Sequence, residues 1–210
     1  MRVACYIDGF NLYHAIDDLR KPHLKWIDVW DLAQSLCRPG ETLIKTAYFS
    51  AYATWLPDKY ARHRQYVAAI QHRGAECHMA RFTEKNTRCN ACGARWKRHE
   101  EKETDVHLSL CLLEDALDNV FDRAIIVGTD SDLVPAVRMI RRRLPGKQMF
   151  LATPPGRHAN ARELLNACNS GTAITPGRLA NCVMPQIIRN ANGIAIASRP
   201  PEYDWPLNLS

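Results

Sequence analysis

The chain has 210 residues, 46% of them apolar and 24% charged, with a formal charge of +6. That length holds one substantial α/β domain with an appendage, in the composition of an ordinary globular protein, and no apolar run reaches the length of a membrane span. Met1–Asp8 reads as a strand rather than a signal peptide, so a cytoplasmic protein is expected; its 8 Cys are then thiols or metal ligands rather than disulfides, and the excess of positive charge favours polyanionic partners without naming one.

In chain order, strand and helix alternate. The run Val3–Ile7 predicts a strand and residues 11–19 a helix. Residues 28–37 predict a second helix, with Asp28 as its cap and Pro39-Gly40 as its stop. A β-rich stretch covers 43–52. Pro57 opens a helix to about Gln71, since proline suits a first helical turn, and 75–82 is the next strand. Residues 83–101 are polar and Cys-bearing and break the rhythm; they read as an insertion. Val106, Leu110, Leu113 and Leu117 form a helical stripe. A buried-type strand at 123–128, a helix at 133–144, a strand at 148–152 and a helix at 159–169 follow. Two short apolar runs around Asn190–Gly193 predict a hairpin, and the stretch from Pro200, Pro-rich and without periodicity, predicts a loosely held tail. The alternation implies an α/β fold: a mostly parallel central sheet with helices on both faces.

Four carboxylates stand where apolar stretches end or begin. Asp8 closes the first strand, Asp130 and Asp132 follow the strand at 123–128, and Asp105 opens the helix of the leucine stripe. The carboxyl ends of parallel strands form the crevice where open α/β sheets bind ligands. Acids gathered there repel one another unless a divalent cation neutralises them. Oxygen-only ligands suit Mg²⁺ or Mn²⁺, which lean on substrate phosphates for their remaining coordination. Each acid has a simpler role as well. Asp8 with Gly9 can begin a turn, and Asn11, Thr104, Asp105 and Asp130–Asp132 suit helix starts. Capping and metal binding are compatible, because a capped helix start holds a carboxylate rigidly.

The blocks Tyr6-Ile7-Asp8-Gly9-Phe10-Asn11, Glu101-Lys102-Glu103-Thr104-Asp105-Val106 and Gly128-Thr129-Asp130-Ser131-Asp132-Leu133 resemble, in the expected order, the signature blocks of the NYN family of the PIN-like nuclease superfold. The resemblance spans roughly residues 1–170, leaving 171–210 as a C-terminal extension. It implies a Rossmann-like three-layer fold and a metal-dependent ribonuclease, with Asp8, Asn11, Asp105, Asp130 and Asp132 on the active-site positions. Asp8 and Asp130 are then direct ligands of Mg²⁺ or Mn²⁺, and Asp105 and Asp132 ligate directly or through water, with Asn11 orienting a water or the substrate phosphate. A non-catalytic RNA-binding protein that keeps the acidic pocket and a structure-specific DNA nuclease are the alternatives.

Cys89-Asn90-Ala91-Cys92-Gly93 has the spacing of a zinc knuckle, and tetrahedral Zn²⁺ needs two further ligands. His99 and His78 are the candidates, with Cys77 the alternative to His78, so that residues 77–99 form a zinc-stabilised insertion. For nucleic acid, Arg95, Trp96, Lys97 and Arg98 combine a stacking ring with three positive charges, a pairing suited to single strands. Arg141, Arg142 and Arg143 form a second basic cluster, with a solvated helix end as the plainer reading. Trp55, Tyr60 and Tyr66 read as packing residues.

Overall fold

The computed structural model describes residues 1–205. Its centre is β1, Arg2–Asp8, paired in parallel with β2, Thr42–Ala51, on one side and β5, Arg123–Val127, on the other. Beyond β2 lie β3, Glu76–Arg88, and β4, Arg95–Lys102; beyond β5 lie β6, Gln148–Thr153, and β7, Ser170–Ala173. The order is β4-β3-β2-β1-β5-β6-β7, parallel throughout except for the antiparallel β3–β4 pair. A strand flanked on both sides and covered on both faces has no polar side, which is why Val3 to Ile7 is an unbroken apolar run. The predicted mostly parallel sheet is what forms.

Alternate residues of β1 feed two separate cores. Val3, Cys5 and Ile7 pack against α1, Gly9–Asp18, α2, Val29–Ser35, and α3, Pro57–His72. Ala4 and Tyr6 pack against α4, Thr104–Leu117, α5, Val134–Arg143, and α6, Arg162–Ala167. The first core also takes in Leu179 of the short α7, Pro176–Ala180, and Met184, Ile188 and Ala197 after it. A two-stranded antiparallel sheet, β8 (Ile187–Arg189) with β9 (Ala195–Ser198), lies over α3.

Three expectations change. Residues 83–101 are no free-standing insertion: they continue β3 and return as β4, a hairpin whose inner part belongs to the main sheet. Its polar sequence hid it, because the strands are held by their backbone ladder and by cross-strand ion pairs such as Lys97–Glu84 at 2.9 Å rather than by an apolar face. The leucine stripe is not the packed face of α4 either. Val106, Leu110 and Leu117 are 62%, 59% and 61% exposed, while Leu108, Leu112 and Ala116 are buried together with Asp115. Asp115 decides the rotation: it accepts a hydrogen bond from the Tyr6 hydroxyl at 2.6 Å and pairs with Lys45 at 2.8 Å. Neither interaction could form if the stripe turned inward. Asp105, three residues before Leu108, rides on this inward face. Finally, residues 200–205 are docked rather than loose. Tyr203 packs on the first core, Arg199 pairs with Asp204 at 2.9 Å, and Trp205 stacks on His23. The rest of the expected tail, 206–210, lies outside the described residues.

Candidate active site

The chain runs from β1 outward through β2, β3 and β4, then crosses to the opposite side of β1 to lay down β5. The carboxyl ends of β1 and β5 therefore flank the switch point of the sheet, where a crevice opens. Asp8 ends β1 and caps α1, accepting the Asn11 backbone N–H at 2.9 Å. The turn between them is tight enough to demand Gly9, whose Cβ would sit 2.5 Å from the Tyr48 ring and 2.7 Å from the Phe49 carbonyl oxygen. After β5, Asp130 caps a 3₁₀ turn over Ser131–Leu133, accepting the Asp132 backbone N–H at 2.9 Å. The Asn11 amide and the Thr129 hydroxyl bridge the two strand ends, with Nδ2 donating at 2.9 Å and Thr129 Oγ1 lying 3.1 Å from Oδ1. From the far side, Glu103 takes a left-handed backbone (φ 81°), turning β4 into α4 and presenting Asp105. Such strain in a non-glycine residue persists only where the surroundings enforce it.

Asp130 thus caps as the sequence suggests, whereas Asp8 rather than Asn11 caps α1, and α4 starts after Glu103 without a side-chain cap. Carboxylate oxygens of Asp105, Asp130 and Asp132 lie within 4.8 Å of one another. Asp8, more buried than these three, lines the same cleft of about 320 Å³ with Asn11, His14, Glu101 and Arg157. Arg157 is the cleft's basic wall, but it is paired with Asp18. Burial pushes the Asp8 carboxyl up to about 7; Asp105 and Asp130 add to the rise, and the Asn11 N–H opposes it. Burial, then Asp130, Glu101 and Asp132, push Asp105 up to about 6. Acids that resist ionising together are what a divalent cation would relieve, and the donor set is all oxygen. Glu101 is a site residue that the sequence reading did not single out. It accepts hydrogen bonds from the Thr104 N–H, at 3.1 Å, and from the Thr104 hydroxyl; lying on the unforeseen β4, it gave no signal beyond its place in the second block.

Comparison with known proteins agrees with this architecture. Residues 2–175 match the NYN domain. The chain belongs to the NYN family. A curated relative, 6-hydroxy-3-succinoylpyridine 3-monooxygenase of Pseudomonas putida, is 26% identical over 227 aligned positions, covering 90% of this chain and 72% of that protein. The crystal structure of a protein of unknown function from Vibrio parahaemolyticus shares the fold with a TM-score of 0.56 at 20% identity, over 83% of this chain and 93% of that one. The NYN family is nuclease-like, and the acid cluster at the sheet's switch point is present here.

Other residues singled out in this NYN chain do not converge on single sites. Cys89 and Cys92 sit together at the turn of the β3–β4 hairpin, where backbone N–H groups of Cys92 and Ala91, and the Cys92 thiol, lower the Cys89 thiol. His99 is paired with Glu84 in the ladder, about 15 Å down the hairpin at ~3.3 Å per residue, and stacks on Trp55 at 3.7 Å. His78 lies further still, opposite Phe49 in β2 and stacked on its ring at 4.7 Å. Cys77, beside it, is equally remote and its thiol is raised to about 12 by burial. The four-ligand zinc set is therefore corrected: the length of the strand keeps both histidines and Cys77 from the cysteine pair. Arg95, Trp96, Lys97 and Arg98 line the outer part of the hairpin, which runs past the carboxyl edge of β2, where pairing with β3 ends at Ala51 and Ala80. That places them on an arm beside the cleft. Arg141, Arg142 and Arg143 end α5, which starts at the cleft and runs about 15 Å toward the opposite edge of the sheet. Arg141 donates to the Ala167 carbonyl at 2.7 Å, sealing the end of α6. Trp55 packs on His99 and Phe82 with part of its ring exposed, and Tyr66 is buried.

Proposed function

We propose that this NYN domain is a ribonuclease dependent on Mg²⁺ or Mn²⁺, acting on single-stranded RNA in the cytoplasm. The observation that carries the reading is the convergence of Asp105, Asp130 and Asp132, with Asp8 alongside, at the switch point of the sheet. Asp105, Asp130 and Asp132 would hold the cation, which supplies charge neutralisation at the phosphate and activation of water. Asp8, fixed by its cap on α1 and lining the same cleft, would add a fourth carboxylate to the cation's surroundings. Asn11, locked to Thr129, presents its amide edge to the cleft as a positioning group for water or a phosphate oxygen. Glu101 fixes the start of α4 and with it the direction of Asp105. The arm carrying Arg95, Trp96, Lys97 and Arg98 suits the flanking strand, through charge and one stacking ring.

A second reading is favoured by the Pseudomonas putida relative, whose name describes chemistry on a pyridine ring. On that reading the substrate is a small heteroaromatic acid, held in a cavity lined by Phe10, Tyr13, Trp55 and Phe82 that shares Phe10 and His14 with the acid cleft.

One assay separates the ribonuclease from an RNA-binding protein and a DNA nuclease: labelled single-stranded RNA and DNA incubated with protein in Mn²⁺, Mg²⁺ or EDTA. RNA should be cut with either cation, remain intact in EDTA, and remain intact with Asp130→Asn, whose melting temperature should stay level or rise as carboxylate repulsion is relieved. Binding without cutting supports the RNA-binding alternative, and faster cutting of DNA supports the DNA nuclease. Cleavage by Asp130→Asn at the wild-type rate would falsify the catalytic assignment.

A further inference from the structure

A cavity of about 330 Å³ lies between α1, the segment after β2 and α3, at the lower end of the range for small-molecule pockets. Its walls are aromatic: Phe10, Tyr13, Tyr48, Trp55, Tyr66 and Phe82 all line it. Trp55 and Phe82 meet edge to face at 4.7 Å, as do Phe10 and Phe82 at 5.6 Å. Among these walls Ser50 and His63 stand 3.5 Å apart. Burial holds the His63 imidazole down at about 4, so at neutral pH it offers one ring donor and one acceptor. At the rim, Lys25 is held by Asp17 and Arg62 pairs with Glu202 at 2.8 Å, while Lys59 has no ion-pair partner among the described residues. The cavity and the acid cleft are neighbours, since Phe10 and His14 line both.

We propose that this cavity is a base pocket, holding the nucleobase of the RNA nucleotide next to the phosphate in the acid cleft. An aromatic enclosure with one or two hydrogen-bonding groups suits a flat heterocycle, and every base has a face to stack. The free Lys59 at the rim complements the phosphate on the base's other side. A plain hydrophobic ligand has no use for the Ser50–His63 pair or for the cation, and a duplex cannot deliver a base here without unstacking it. The occupant is therefore an unpaired nucleotide, and cleavage depends on which base fits. The inference rests on the ribonuclease reading for the identity of the occupant.

Calorimetry in EDTA with the four nucleoside 5′-monophosphates, ribose 5-phosphate and nicotinate tests binding apart from turnover. At least one nucleotide should bind and ribose 5-phosphate should not. Trp55→Ala, which removes a wall, and Ala53→Phe, which fills the space, should each weaken that nucleotide by roughly tenfold or more, the loss expected for one stacked base. In parallel, single abasic positions walked along a short RNA should slow Mn²⁺-dependent cleavage most at one position beside the cut. Nucleotide binding without any cleavage leaves the pocket standing and removes the ribonuclease reading. Cleavage indifferent to every abasic position and to Ala53→Phe, with no nucleotide bound, overturns the pocket and leaves the nuclease. Nicotinate bound in preference to every nucleotide, in a Trp55-dependent manner, overturns it in favour of a small-molecule site.

Discussion

At the edge where the strands begin, carboxylates meet guanidinium groups. Arg2 pairs with Asp122 at 2.8 Å, and Arg123 pairs with Glu41 at 2.7 Å, the latter almost wholly out of water. At the edge where the strands end, Asp8, Asp105, Asp130 and Asp132 gather with Glu101 and without a free cation among their immediate neighbours. The effect on acidity is opposite. The Arg2 hydrogen bonds hold Asp122 down at about 2, whereas burial and neighbouring acids push Asp8 up to about 7. One edge is complete within the chain. The other gathers like charges that protonation or a bound cation would relieve.

The sharpest way to break the paired edge is Arg123→Leu. It strands Glu41 in the interior and should cost about 3–5 kcal/mol in denaturant unfolding, the usual loss when one member of a buried pair is removed. Replacing both, Glu41→Met with Arg123→Leu, should recover most of it. Glu41 Oε1 and Arg123 Nη2 lack hydrogen-bond partners even in the intact pair, so an apolar substitute gives up little. A single variant as stable as wild type contradicts the assignment.

The unpaired edge should show itself in pH dependence. The folded value of Asp8 lies above that of an unfolded aspartate. Its penalty is thus absent below about pH 4, grows as pH rises, and is complete near pH 7, on the order of a few kcal/mol. Metal-free protein should lose stability over that interval, and Asp8→Asn should flatten most of the slope. Glu101, Asp105 and Asp130 face the same cleft with His14 and the paired Arg157, and Asp132 lies beside Asp105 and Asp130; Asp105 carries the remainder. Adding Mn²⁺ should restore wild-type stability at pH 7. A profile unchanged by Asp8→Asn rules this origin out.

The smallest effect is expected at the far end of α5. Charge reversal at Arg142 and Arg143 should leave the salt dependence of RNA binding nearly unchanged, whereas Arg95→Ala or Arg98→Ala on the arm should reduce the log–log slope by roughly 0.7 for each phosphate no longer neutralised. Equal slopes in both sets would erase the distinction drawn between the arm and the helix end.

What could be read from the sequence follows the same division. Asp8 and Asp130 were legible because β1 and β5 are covered on both faces, so a carboxylate marks the strand end without ambiguity. Asn11 and Asp105 came with the blocks around them. Periodicity did not identify the buried face of α4, because that helix is apolar on two sides and a polar contact, Asp115 with Lys45 and Tyr6, chose between them. The zinc ligands were misjudged because proximity in sequence ignores strand length: in an extended chain ten residues are some 30 Å. The aromatic cavity left no trace in any local pattern, since its lining is gathered from α1, β2, the segment after it, α3, β3 and the segment after β9, which are far apart in sequence.

The central position of β1 also has a consequence for the order in which the protein can be made. Val3 pairs with Arg123 and Ile7 with Val127, so β1 leaves the ribosome without its second neighbour. At ~5–20 residues per second, the roughly 120 intervening residues take about 6–24 s to appear. Throughout that interval a strand with no polar face has one open edge, the kind of surface on which chains pair wrongly. Asp130 and Asp132 arrive only after β5. A nascent chain therefore carries its most adhesive segment well before it carries the cleft, and chaperone dependence should be greatest in products truncated short of β5.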